Sequence, residues 1–146
     1  EKLTFFGRAL ARLPLHPSLG KMVYFGSVMG VKEHAVTLSA FFSVGREPFA
    51  IPINAYDRKQ GEQAIARLTG RINSDHFAFY RAYEEYTRQG HAACRQFYLS
   101  SSIMNQVHRT RRQILDQLPN SVTEIPFAHS SISTLTLVEL LASLGT

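Results

Sequence analysis

One cysteine stands among the 146 residues. Cys94 therefore cannot close an internal disulfide, and a single thiolate is too little for a zinc cluster. A reducing, intracellular compartment is the expectation that follows. No stretch reaches the ~18 consecutive apolar residues of a membrane span, so no membrane partner is expected. The chain opens on Glu1-Lys2, without an initiator methionine or a signal-peptide pattern, as a segment cut from a longer protein would. Chemistry-bearing motifs are missing too. There is no GxxxxGK[ST] loop to cradle a triphosphate, and no GxGxxG, GxSxG or HExxH. The six histidines, at 16, 34, 76, 91, 108 and 129, form no i,i+4 metal pair, and His91 with Cys94 is two ligands short of a closed site. No catalytic residue, metal site or cofactor is expected in this chain. Cys94 lies in an apolar helical setting, where an inert thiol is the usual outcome.

What is present reads as an almost all-helical domain. Apolar residues make up 45% of the chain and charged residues 18%, an ordinary globular balance. The net charge of +5 suggests a polyanionic partner. Pro17 suits the first turn of a helix over 17–29, with Leu19, Met22, Val23 and Gly26 at helical spacing. A second helix over 32–43 is apolar nearly all round and should be buried. Pro48 and Pro52 make 45–52 a loop. Weaker amphipathic character marks 58–69. Ser74 is a good N-cap for the next helix, which Gly90 stops. Helices over 91–100, 103–118 and 134–144 complete a set of about seven, with 120–131 as loop.

Two helices carry most of the polar information. Arg81, Glu84, Glu85 and Arg88 are spaced for surface ion pairs, Arg81–Glu85 and Glu84–Arg88. Adjacent carboxylates on a helix point about 100° apart, so Glu84 and Glu85 are a poor acid/base pair. In 103–118, Ile103, Val107, Ile114 and Leu118 form an apolar stripe, and His108, Arg109 and Arg112 a basic ridge on or near the opposite face. Such a ridge is either a solvated surface or a phosphate contact. Arg111 falls inside the apolar stripe and needs a partner, because an unpaired buried charge is very costly. Asp75, at the start of another helix, is the candidate.

Five motifs in order then resemble one family. Leu3-Thr4-x-x-Gly7 with Leu13-Pro14-Leu15-x-Pro17-x-Leu19-Gly20-Lys21-Met22 is similar to the opening of the helicase-associated region of DEAH/RHA-type RNA helicases. Pro48-Phe49-x-x-Pro52, Ser74-Asp75-His76, Cys94-x-x-x-Tyr98-Leu99-Ser100 and Arg111-x-Gln113-Ile114 resemble its later steps. Tyr86, Tyr98 and Ile114 stand where the family often has Trp, Phe and Leu, substitutions that keep bulk. The resemblance implies the end of a winged-helix domain over 1–16 and a ratchet-like helical bundle over 17–146. It implies an accessory module of an ATP-dependent RNA helicase, packed on motor domains that carry ATP and Mg and lining a single-stranded RNA channel. His108, Arg109 and Arg112 would then meet RNA, with Lys21 and Arg81 second. Ser74, Asp75 and His76 are better read as capping and pairing residues. Tyr80, Tyr83 and Tyr86 are better read as core than as base-stacking residues. The alternative is a protein-interaction scaffold within a ribonucleoprotein, with possible protein cofactors and little RNA binding of its own.

Overall fold

In the computed structural model, residues 15–70, 72 and 74–118 are described. Six helices occur among them: α1 (Pro17–Val28), α2 (Lys32–Val44), α3 (Ala55–Thr69), α4 (Asp75–Gln89), α5 (His91–Gln96) and α6 (Ser101–Gln117). The fold is all-α, as the periodicities predict. The expected seventh helix at 134–144, the loop at 120–131 and nearly all of the expected winged-helix remnant lie outside the described residues.

The helix starts have local chemical causes. Pro17 occupies the first turn of α1, and the ring Nδ1 of His16 accepts from the Ser18 N–H at 3.2 Å. Asn54 caps α3, so that helix begins three residues before the expected 58. Ser74 caps α4 by accepting from the Phe77 N–H. Ser100 caps α6 by accepting from the Ile103 N–H. Gly90 ends α4 and opens α5 at φ +63° and ψ −132°, a conformation essentially restricted to glycine.

α2 is the spine. Ala35, Val36, Leu38 and Ala40 are fully buried, with Thr37 and Ser39 nearly so. One face, Ala35 and Leu38, packs with Leu19, Met22 and Val31. The other, Val36, Ala40 and Phe41, joins Met104, Val107 and Ile114 of α6 and Ala82 and Tyr83 of α4. A helix apolar all round is thus apolar because it is covered on two sides, chiefly by α1 and α6. The small polar groups inside it donate to carbonyls, Thr37 Oγ1 to Glu33 of its own helix at 2.8 Å and Ser39 Oγ to Leu19 of α1 at 3.5 Å.

One predicted element is shorter than expected. The helix at 91–100 stops at Gln96, and Tyr98 adopts φ +56°. The reason is a long-range claim on the backbone. Ala50 N–H donates to the Tyr98 carbonyl at 2.7 Å, and Ser100 N–H to the Pro48 carbonyl at 2.8 Å, flanking an antiparallel bridge between Phe49 and Leu99. Two of the sequence motifs, Pro48-Phe49-x-x-Pro52 and Cys94-x-x-x-Tyr98-Leu99-Ser100, therefore meet at one joint.

Candidate nucleic-acid interface

On α6 the buried stripe is Ile103, Met104, Val107 and Ile114, with Leu118 just past its end. At ~100° per residue, Gln106, Arg109, Arg112 and Gln113 share the opposite face, and all four are exposed. Neither Arg109 nor Arg112 has a hydrogen bond or ion pair among the described residues. Asp116 is the one carboxylate on that face among them. Guanidinium and amide groups with so few acids beside them form a donor surface suited to phosphate oxygens.

The other expected contact residues are placed differently. His108 is half-buried at the edge of the ridge, its Nδ1 2.9 Å from the Tyr83 hydroxyl and its ring stacked on the Tyr83 ring. Arg81 is engaged: it pairs with Glu84 at 3.4 Å and Glu85 at 3.3 Å, and its Nε donates to the Leu68 carbonyl. Lys21 is exposed on α1, 6.0 Å from the centre of the Phe25 ring, on a helix whose main neighbour is α2. The structure thus groups Arg109 and Arg112, sets His108 beside them, and leaves Lys21 and Arg81 on other helices.

Arg111 does have partners, but Asp75 is not among them. Its Nε donates to Thr37 Oγ1 at 3.0 Å, its terminal nitrogen pairs with Glu33, and the guanidinium lies 5.1 Å from the centre of the Tyr83 ring. Asp75 instead lines a separate cleft of about 430 Å³ with Phe41, Phe42 and Phe79, near the C-terminal end of α2. Glu33 sits in the first turn of that helix, so the two carboxylates are at opposite ends of the spine. Sequence reasoning missed Glu33 and Thr37. Helical spacing locates Arg111 in the stripe but carries no information about a partner 78 residues away.

Of the two ion pairs expected on α4, Arg81–Glu85 forms and Glu84–Arg88 does not. Glu85 is buried rather than on the surface, and accepts from Arg81, from Arg88 at 2.6 Å and from Gln89 at 2.5 Å. Arg88 thus pairs with Glu85 at i,i+3, not with Glu84 at i,i+4. Hydrogen bonding from Arg88 holds the Glu85 carboxyl below its usual range. Tyr83 is buried, and Tyr86 donates to Asn105 of α6, so both tie α4 to α6. Burial pushes the Cys94 thiol up, away from the reactive thiolate form. Among the described residues no three His, Cys, Asp or Glu side chains gather to hold a metal ion, and no helix is long and apolar enough to cross a membrane.

His34 stacks on Tyr80 with ring centres 4.2 Å apart. Burial lowers its pKa, and the nearby charges of Glu84 and Glu33 offset this in part. The folded state therefore keeps His34 neutral at a pH where the unfolded chain has protonated it. The unfolded state binds more protons, so stability rises with pH through the window just below ~6.5. Urea midpoints should fall between pH 7.5 and pH 5.5, and by less in His34→Gln; equal falls in both proteins would remove His34 as the cause.

Residues 16–79 match the family model of the helicase associated domain (HA2), ratchet-like. The chain is 35% identical over 124 residues to the DExH-box ATP-dependent RNA helicase DExH3 of Arabidopsis thaliana, covering 81% of this chain and 10% of that protein. It is 34% identical over 123 residues to DExH1 of the same plant, with 81% of this chain and 12% of the relative covered. To the ATP-dependent DNA/RNA helicase DHX36 of Homo sapiens it is 31% identical over 125 residues, again 81% of this chain and 12% of the relative. The chain spans about a tenth of the length of these relatives. Its order of motifs, its helical bundle and these matches together place the chain in the helicase-associated, ratchet-like domain family of DExH/DEAH-type RNA helicases.

Proposed function

We propose that the chain is the accessory module of an ATP-dependent RNA helicase, packing on motor domains that bind ATP and Mg and lining their single-stranded RNA channel. The module itself carries no catalytic step. Its task is to hold the phosphate backbone while the motors move it, which calls for contacts indifferent to base identity. The observation that carries this reading is the exposed face of α6, where Arg109 and Arg112 lie unpaired among the described residues between Gln106 and Gln113. His108 adds a half-exposed ring at the edge, held by Tyr83. Lys21 and Arg81 are subordinate, Arg81 because its guanidinium is committed to Glu84, Glu85 and Leu68. The scaffold alternative draws on the exposed Ile53 and Tyr56, an isolated pair rather than a broad apolar patch.

The test is a salt titration of single-stranded RNA binding by the 146-residue chain and by Arg109→Ala/Arg112→Ala. Removing one cation from a phosphate should lower the slope of log affinity against log salt by ~0.7, so the double variant should show a slope smaller by about 1.4 and weaker binding at low salt. An unchanged slope and affinity would remove α6 from the RNA path.

A further inference from the structure

Beyond α6, the outer face of α3 is the other surface whose chemistry is unaccounted for. The buried side of that helix is Gly61, Ala64 and Leu68. Along one flank of its exposed side, at ~100° per residue, run Tyr56, Gln60, Gln63 and Arg67, with Lys59 at the edge, all exposed. Tyr56 is 75% exposed, and Ile53, three residues before it, is 97% exposed.

Both carboxylates of α3 are engaged by other side chains. Asp57 accepts from the Asn54 side chain at 2.6 Å within the cap, and Glu62 pairs with Arg58 at 3.0 Å. Lys59 and Arg67 have no ion pair or hydrogen bond among the described residues. The stripe therefore presents two free cations, two amides and an aromatic ring, and the acid nearest to Lys59, Glu62, is paired with Arg58. α3 packs on α4, whereas α6 packs on α2, so this face belongs to a different part of the bundle from Arg109 and Arg112.

We infer that this exposed flank of α3 is a second contact for single-stranded nucleic acid, in which Lys59 and Arg67 hold phosphates and Tyr56 stacks on a base. Charge complementarity selects the occupant. A polyanion with unpaired bases uses the cations and the ring together, whereas an apolar protein surface would leave Lys59 and Arg67 without a function. The inference rests on the RNA reading for the identity of the polyanion, but not on α6 for its geometry.

Binding of a fluorescent oligouridylate, about 12 nucleotides long to span a site of the usual ~4–16, tests it on the 146-residue chain, with thermal melts to show that each variant is folded. All substituted positions are exposed, so melting should be unchanged. Lys59→Glu/Arg67→Glu should weaken binding at low salt and flatten the salt slope by about 1.4, at ~0.7 per phosphate. Tyr56→Ala should weaken binding roughly fivefold or more, while Tyr56→Phe, which keeps the ring, should bind as the parent does. If the α3 variants bind as the parent and Arg109→Glu/Arg112→Glu does not, α3 is overturned and α6 stands. If the α3 variants fail and the α6 variant binds normally, the reverse holds. Equal losses in Tyr56→Ala and Tyr56→Phe would overturn stacking.

Discussion

Replacing Leu38 by alanine should lower the unfolding free energy by about 3 kcal/mol, within the ~2–5 kcal/mol range of large-to-small core changes. Leu38 is completely buried, midway along α2, packed with Leu19, Met22, Val31 and Ala35. The loss has two parts, the transfer free energy of the removed carbons and the cavity they leave. The second part should be near its upper range here. α2 is held on its other face by Val36, Ala40 and Phe41 against α4 and α6, so it cannot shift to close the gap without opening another. A domain of this size has ~5–15 kcal/mol in total, and the change should shift the melting midpoint by on the order of 10 °C. Val36→Ala removes fewer carbons and should cost less. Equilibrium urea unfolding followed by circular dichroism measures both. A Leu38→Ala midpoint equal to that of the parent would mean that α1 collapses onto α2, and that α2 is not a spine clamped from two sides.

The burial of α2 was legible from sequence for a simple reason. A run apolar at Ala35, Val36, Leu38, Ala40, Phe41 and Phe42 exceeds what one face can hold, so cover on two sides is the only satisfying arrangement. Caps and stops were legible for the same kind of local reason: Ser74 and Gly90 act within one turn. The joint at Phe49 and Leu99 was not. The pairing that ends α5 early joins residues about 50 apart, and no glycine or proline at 97–100 marks a stop. The same limit applies to the polar groups. A helical wheel separates Arg109 and Arg112 from Arg111, because that is a property of one helix. It cannot distinguish the free Arg109 from the half-committed His108, because the Tyr83 hydroxyl that holds His108 comes from α4. It also cannot show that Glu85 is buried under three donors, since all three lie within about one turn of it and would look alike on an exposed helix.

Arg111→Ala should cost about 2–3 kcal/mol, and Glu33→Ala distinctly less, about 1 kcal/mol. The two residues form one ion pair, so a pairwise view would give them equal weight. Their environments differ. Glu33 is 61% exposed at the side chain and Arg111 only 18%. Removing Arg111 forfeits a charged hydrogen bond to Thr37, the stacking of the guanidinium over Tyr83, and much of the apolar packing of its stem inside the stripe. Removing Glu33 leaves Arg111 with Thr37, Tyr83 and an open cleft of about 280 Å³ that gives its terminal nitrogens access to water. Arg111→Lys should fall between them, because an ammonium keeps the charge but not the fork that reaches Thr37 and Glu33 together. A double-mutant cycle between positions 33 and 111 isolates the pair itself, and its coupling should be under ~1 kcal/mol, as solvent screening requires for a half-exposed pair. Two quantities decide the matter in the same unfolding experiment. If Glu33→Ala is as damaging as Arg111→Ala and the coupling accounts for both, the ion pair holds the bundle. If the order is as stated, Arg111 holds it through Thr37 and Tyr83, with Glu33 only completing the shell.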